Sequence, residues 1–173
     1  KYIGESTTDD KYQLVIAYHP VPAATVGNVT IRGNNKAFAD QDITVNLRNV
    51  KFNTIAANTD VSGWFGSSLP TGLSAKIKNA VAANADTATI TISGTPTEAS
   101  DAALAITIPK ACLTSGADLT AKLNDKARFD ISLVNDVAIT AGAGMSTTDK
   151  ANQRVNAGAD MNKVVYTADN GYY

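Results

Sequence analysis

Apolar and polar residues alternate one by one along successive short stretches of this chain. Ile43, Val45 and Leu47 fall on one side, Thr44 and Asn46 on the other. Ala88, Ile90 and Ile92 alternate in the same way with Thr87, Thr89 and Thr91. A period of two belongs to a strand with one buried face, because successive side chains leave the pleat on opposite sides. The same reading takes in Val29 with Ile31, Leu104 with Ile106 and Ile108, and Leu119 with Ala121 and Leu123. Ala127, Phe129, Ile131 and Leu133 form one more such run. Turn signals at Gly33-Asn34-Asn35, Ser93-Gly94-Thr95-Pro96, Pro109 and Asn124-Asp125 separate these runs every ten residues or so, the spacing of a β-sandwich. The phase breaks at Arg48-Asn49, ahead of Val50 and Phe52, which predicts a bulge or bend. Helical pattern is scarce. Asp60 is placed to cap a single turn through Val61-Ser62-Gly63-Trp64-Phe65, stopped by Leu69-Pro70. The alanine-rich stretch from Ala75 to Ala85 is read as a strand and its exit, on Lys76, Ile77, Lys78, Ala80 and Val81. The expected fold class is all-β.

The aromatic residues divide the chain. All six tyrosines lie near the ends, at Tyr2, Tyr12, Tyr18, Tyr166, Tyr172 and Tyr173. Between them stand Phe38, Phe52, Trp64, Phe65 and Phe129. The shift predicts a complete module over residues 26–133, preceded by a strand and proline linker (1–25) and followed by the start of a second, truncated β unit (134–173). In the first piece Tyr12, Leu14, Ile16 and Tyr18 alternate with Gln13, Val15 and Ala17, and Pro20-Val21-Pro22 then imposes an extended connection.

Composition narrows the setting. Charged residues make up only 18% and the net charge is −1, so the dense basic patch that nucleic acid or an anionic membrane requires is missing. No window approaches the roughly 18 apolar residues of a membrane span. Lys1 and the residues after it do not read as a secretory signal, so the chain is taken as mature, cleaved or excised. With Cys112 as the single cysteine no internal disulfide forms, which suits the cytosol and disulfide-free surface repeats equally.

Two motifs bear a resemblance to a known class. Asp60-Val61-Ser62-Gly63-Trp64-Phe65, then Leu69-Pro70-Thr71-Gly72-Leu73-Ser74-Ala75, then Ile90-Thr91-Ile92-Ser93-Gly94-Thr95-Pro96-Thr97 and Ala105-Ile106-Thr107-Ile108-Pro109 with Leu113, is similar to the tandem immunoglobulin-like repeats of bacterial cell-surface proteins. The segment from Val164 to Tyr173 resembles the early part of a related repeat. The resemblance covers residues 28–173. It implies an immunoglobulin-like β-sandwich with flanking partial β units, displayed outside the cell in stalks or adhesins. It carries over no catalytic residue and identifies no ligand.

The residues that bear chemistry are few. His19 is the sole histidine and stands at a strand exit before Pro20, where an exposed side chain is the expected state. Cys112 is expected to be a small buried residue rather than a nucleophile. Asp9 with Asp10, Asp40 with Asp42, and Asp125 with Asp130 lack the spacing of a calcium loop, which leaves only a site shared at a module junction. Glu5 and Glu98 are the two glutamates, with few aromatics to line a sugar groove for paired-carboxylate hydrolysis. Trp64 and Phe65 form the one aromatic pair of the module, a plug at one end or, if exposed, a ligand contact. Asn28-Val29-Thr30 is a glycan acceptor sequon, and Lys51 between Val50 and Phe52 is the best-placed lysine for an isopeptide cross-link. The sequence therefore predicts a non-catalytic structural or adhesive module without cofactor or metal. Its partners would be neighbouring repeats or identical subunits, with a host protein or glycan beyond them. The rival is an extracellular fibre subunit in which Tyr12, Leu14, Ile16 and Tyr18 complete a neighbour's sheet. A carbohydrate-binding module stands third.

Overall fold

The computed structural model describes residues 19–123, 126–138, 140–147 and 152–171, and the chain is all-β. In order its strands are β1 (Ala23–Val26), β2 (Thr30–Asn34), β3 (Gln41–Arg48), β4 (Leu73–Ile77), β5 (Thr87–Gly94) and β6 (Thr107–Ile108). There follow β7 (Leu119–Leu123), β8 (Arg128–Ser132), β9 (Val134–Ala138), β10 (Met145–Thr147), β11 (Asn152–Asn156) and β12 (Tyr166–Ala168). The helical content is two 3-10 segments, Ser62–Ser68 and Lys110–Cys112.

Six strands form one mixed sheet in the order β4-β5-β3-β1-β7-β6. Its faces are those the alternation predicts. In register Ile77 faces Ile90 and Ile90 faces Ile43, while Ala75 faces Ile92. All five are at most 1% exposed. Cross-strand rows of branched side chains on one face are what holds such a ladder together. The outward row carries Thr44 opposite Thr89 and Asn46 opposite Thr87. Where the pattern loses phase, β3 ends and Asn49 turns into the left-handed region at φ 60°. The break is therefore a bend, and it swings Val50 and Phe52 back into the core, at 5% and 0% exposure.

Every pairing in this sheet is antiparallel except one. β1 runs parallel to β7, with Ala24 against Ala121 and Val26 against Leu123. The chain then leaves the sheet at Gly27-Asn28, and β2 pairs in parallel with β8, Thr30 against Arg128 and Ile31 against Phe129. The register steps on by one residue between the two ladders, so the later segment holds one extra residue in its crossing. A third segment makes the same passage in the opposite direction. Ser100 and Ala103 bridge to Ile131 and Arg128 of β8, and then Thr107 and Ile108 pair with Thr120 and Leu119 of β7. Leu104, Ile106 and Ile108 are all buried along it, so it stays extended throughout. Three segments thus belong to both sheets, and their inward side chains join one continuous apolar cluster.

The edges are covered. Beside β4 the Asn58 and Val61 amides donate to the carbonyls of Ile77 (2.8 Å) and Ala75 (2.9 Å), and Ile77 donates back to Thr59 (2.9 Å). Beside β2 the Gln41 side chain acts as a one-residue strand, accepting from the Arg32 amide (3.0 Å) and donating to its carbonyl (2.7 Å). Unpaired edges invite pairing with other chains, and these two are closed within the module.

From Val134 onward the character changes. Only Leu133 separates β8 from β9, so the chain passes almost directly from one strand into the next. β9 pairs with β11 and β10 with β12, as two separate two-stranded ribbons. The Val134 amide donates to Asn35 Oδ1 (2.9 Å), the Ala157 amide to the Leu133 carbonyl (2.9 Å), and Lys36 Nζ lies 3.4 Å from Asp136. Val134 is the one buried side chain among the described residues beyond 133. The sequence-based start of the module at residue 26 lies inside β1, whose Ala24 is already 1% exposed.

Gly72 and Gly94 face each other where β4 and β5 meet, at φ 90° and 122°. A Cβ on Gly94 would lie 2.3 Å from the Gly72 carbonyl oxygen, which is backbone and cannot step aside. Gly27 has nothing within 4 Å of the same position. Gly94→Ala should cost roughly 1–3 kcal/mol of stability in urea titrations, whereas Gly27→Ala should change it by about 1 kcal/mol or less. Equal effects at the two sites would refute this account of the turn.

Candidate functional site

The core holds no chemistry. Among the described residues no polar or charged residue is buried, and no buried side-chain nitrogen or oxygen lacks a partner. No three of the described His, Cys, Asp and Glu residues lie close enough together to hold a metal ion. His19 is exposed. Cys112 follows the turn after Pro109, half-buried, and burial pushes its thiol up, away from the thiolate a nucleophile requires.

The carboxylates are engaged in local structure. A hydrogen bond from Lys78, then one from the Thr91 hydroxyl (2.7 Å), holds Asp42 below the usual carboxylate range. The Thr71 amide (2.9 Å) and hydroxyl (2.7 Å) do the same for Glu98, tying the stretch after β5 to the approach to β4. Asp60 accepts the Ser62 amide (2.8 Å) and is lowered by it, but the capping position the sequence assigns to Asp60 is held by Val61, and no side chain caps the segment. Lys51 pairs with Asp86 with both side chains about half exposed. An isopeptide bond calls for a dry pocket, which this exposed ion pair does not provide.

Trp64 and Phe65 are 6% and 1% exposed. Their 3-10 segment, split by Gly66 at φ 54° and ψ −132°, packs against both β4 and β6, the two edge strands of the six-stranded sheet. Ser68 Oγ fixes it there, donating to the Phe65 carbonyl (2.7 Å) and accepting from the Ala105 amide (3.1 Å). The rings close the curl of the sheet and offer no face to a ligand. Tyr12, Leu14, Ile16 and Tyr18, the residues singled out for strand exchange, lie outside the described residues.

What stands out instead is apolar surface in the last unit. Met145 is 43% exposed, Met161 38%, Val165 45% and Tyr166 40%. In the β10–β12 ribbon Met145 pairs with Ala168 and Thr147 with Tyr166, so Met145 and Tyr166 stand on the same face. Asp136 is pulled down by Arg154 (2.6 Å) and, less, by Lys36, and lines a shallow open depression of about 360 Å³ with Val137, Ala138, Gln153 and Arg154. The sequence pattern marks Val165 and Tyr166 as part of a repeat but not as a surface. The available signal was a unit with apolar strands and too few of them to cover one another.

No protein-family model matches the chain, and no curated protein or solved structure is significantly similar to it.

Trp64→Ala should destabilise the module by about 3–5 kcal/mol. In the wild type, Trp64 emission should be blue-shifted and poorly quenched by acrylamide until urea unfolds the chain. Emission resembling that of free tryptophan in native buffer would refute the plug. Acid should also weaken the fold. Asp42 and Glu98 have folded-state pKa values below their unfolded ones, so their contribution is complete above about pH 5 and fades as pH falls through the lowered values. The urea midpoint should fall with pH in that window, and Asp42→Asn with Glu98→Gln should flatten the slope. An unchanged slope would sink the assignment.

Proposed function

We propose that this chain is a non-catalytic structural module of a bacterial surface or secreted protein, an immunoglobulin-like β-sandwich that is joined end to end with like units. The observation that carries this reading is the continuous run of β8 into β9, with Leu133 alone between them. Asn35 and Lys36, just past β2, fasten the start of the next unit by a hydrogen bond and an ion pair. A short, doubly anchored junction transmits tension and fixes spacing between units, which suits a stalk.

Supporting it, the core is wholly apolar and the carboxylates with shifted pKa values are engaged in local turns and strand pairs. The outward rows of Thr, Asn and Ser keep the sheet soluble with little charge, in keeping with life outside the cell. A sugar-binding face ranks lower, because Phe52, Trp64, Phe65 and Phe129 are buried and Phe38 is half-buried.

The test is display on the source cell. Antibodies raised against the folded chain should label intact cells, or their shed fraction, as strongly as permeabilised ones. Labelling only after permeabilisation would overturn the proposal.

A further inference from the structure

The chain enters the module through β1 and leaves it through β8, and the two parallel ladders decide what a pull on those ends would meet. Ala24, Thr25 and Val26 of β1 lie opposite Ala121, Lys122 and Leu123 of β7. β2 runs beside β8 in the same sense, from Thr30 opposite Arg128 to Asn34 opposite Ser132. Parallel partners begin at the same end of their ladder. The extended stretch from Ser100 to Ile108 runs antiparallel to both β8 and β7, so the two ladders follow one another in one direction. Residue 23 therefore lies at one pole of the module and residue 132 at the other. At the first pole the Asn49 side chain donates to the Val21 carbonyl (2.9 Å) and holds the entering chain there.

Tension between these ends acts along the strands. β1 is drawn one way and the β7–β8 run the other, so both ladders are loaded in shear and their hydrogen bonds resist together. A pair of strands pulled apart from one end loses its bonds one at a time. Three register pairs in the first ladder and five in the second must slip before either end can leave. The β7–β8 run is braced from its other side as well, where Ser100 and Ala103 bridge to β8 and Thr107 and Ile108 pair with β7. Ala24, Val26, Ile31, Ala121, Phe129 and Ile131 are buried along the ladders and keep water from them. A bond broken where water is excluded leaves its donor and acceptor unsatisfied, at their full desolvation penalty.

Resting on the end-to-end reading above, we infer that the module is a mechanical clamp: its paired first and last strands resist tension passed along the chain from Pro22 to Leu133. The function this adds is to carry force between two attachment points without unfolding. The strength is directional, because the same ladders give little resistance to a pull across the strands. Forced unfolding follows the barrier to unfolding rather than equilibrium stability, so two directions of pull can differ within one fold.

The experiment is single-molecule force spectroscopy on the full 173-residue chain, with two attachment geometries built on Cys112→Ser. Handles on His19→Cys and Asn135→Cys pull along the ladders. Handles on His19→Cys and Ala117→Cys grip the starts of β1 and β7 at one pole and peel them apart. All three attachment positions are exposed, and blue-shifted Trp64 emission checks that each variant is folded. At one pulling speed the first geometry should yield at a force several-fold above the second. It should do so in a single event that releases the whole length between the handles. Equal forces in the two geometries overturn the inference. So does a first geometry that pays out chain stepwise at the force of the second. The readout is taken on the purified chain, so it is independent of display at the cell surface, which the antibody experiment decides separately.

Discussion

Parallel pairing between the first and last strands of the module is the constraint on which the rest depends. A parallel ladder cannot be closed by a tight turn. Everything from residue 35 to residue 118 is therefore one long crossover between β1–β2 and β7–β8. Because both strands of that pair pass from the large sheet to the small one, they hold the two sheets together through backbone hydrogen bonds as well as through packed side chains. The cost is kinetic, since contacts nearly a hundred residues apart form late and make such folds slow.

The six-stranded sheet ends at β4 and β6, and the segment that carries Trp64 and Phe65 packs against both. It holds both large rings out of water between the two edge strands' side of the module and the core. A 3-10 turn suits the position because it is short and because Gly66 can take up a conformation closed to other residues. The aromatic pair thus serves closure, and the same burial that stabilises the module removes its best candidate for ligand contact.

Much of this was legible in the sequence. Alternation placed Ile43, Ile90, Ile106 and Phe129 inside, and all four are essentially inaccessible to solvent. Arg48-Asn49 was readable as the place where β3 gives out, whereas the cap read at Asp60 falls one residue later, at Val61, without a side-chain hydrogen bond. The alanine-rich stretch was readable as strand because Ala75 and Ile77 alternate with charged Lys76, although the strand begins at Leu73 and ends at Ile77. Beyond it Val81 bridges to Ile55, and Asn84 at φ 63° turns the chain. Strand neighbours were not legible, since alternation fixes faces and leaves partners open. Nothing local to Ala24 or Ala121 announces that they meet in parallel, and nothing local to Met145 or Tyr166 tells that no third strand among the described residues joins theirs. Both facts depend on what the rest of the chain supplies.

That difference explains why the module and the last unit behave so differently despite similar local sequence. Residues 23–132 close their sheet edges with a loop, a glutamine side chain and an aromatic plug, so each apolar row finds a partner. The 134–171 segment has a comparable glutamine contact, Gln153 bonding both the amide (2.7 Å) and the carbonyl (2.8 Å) of Asn162, but after Val134 its described side chains are half-buried at best. A strand with one apolar face stabilises a fold only when something is laid against that face.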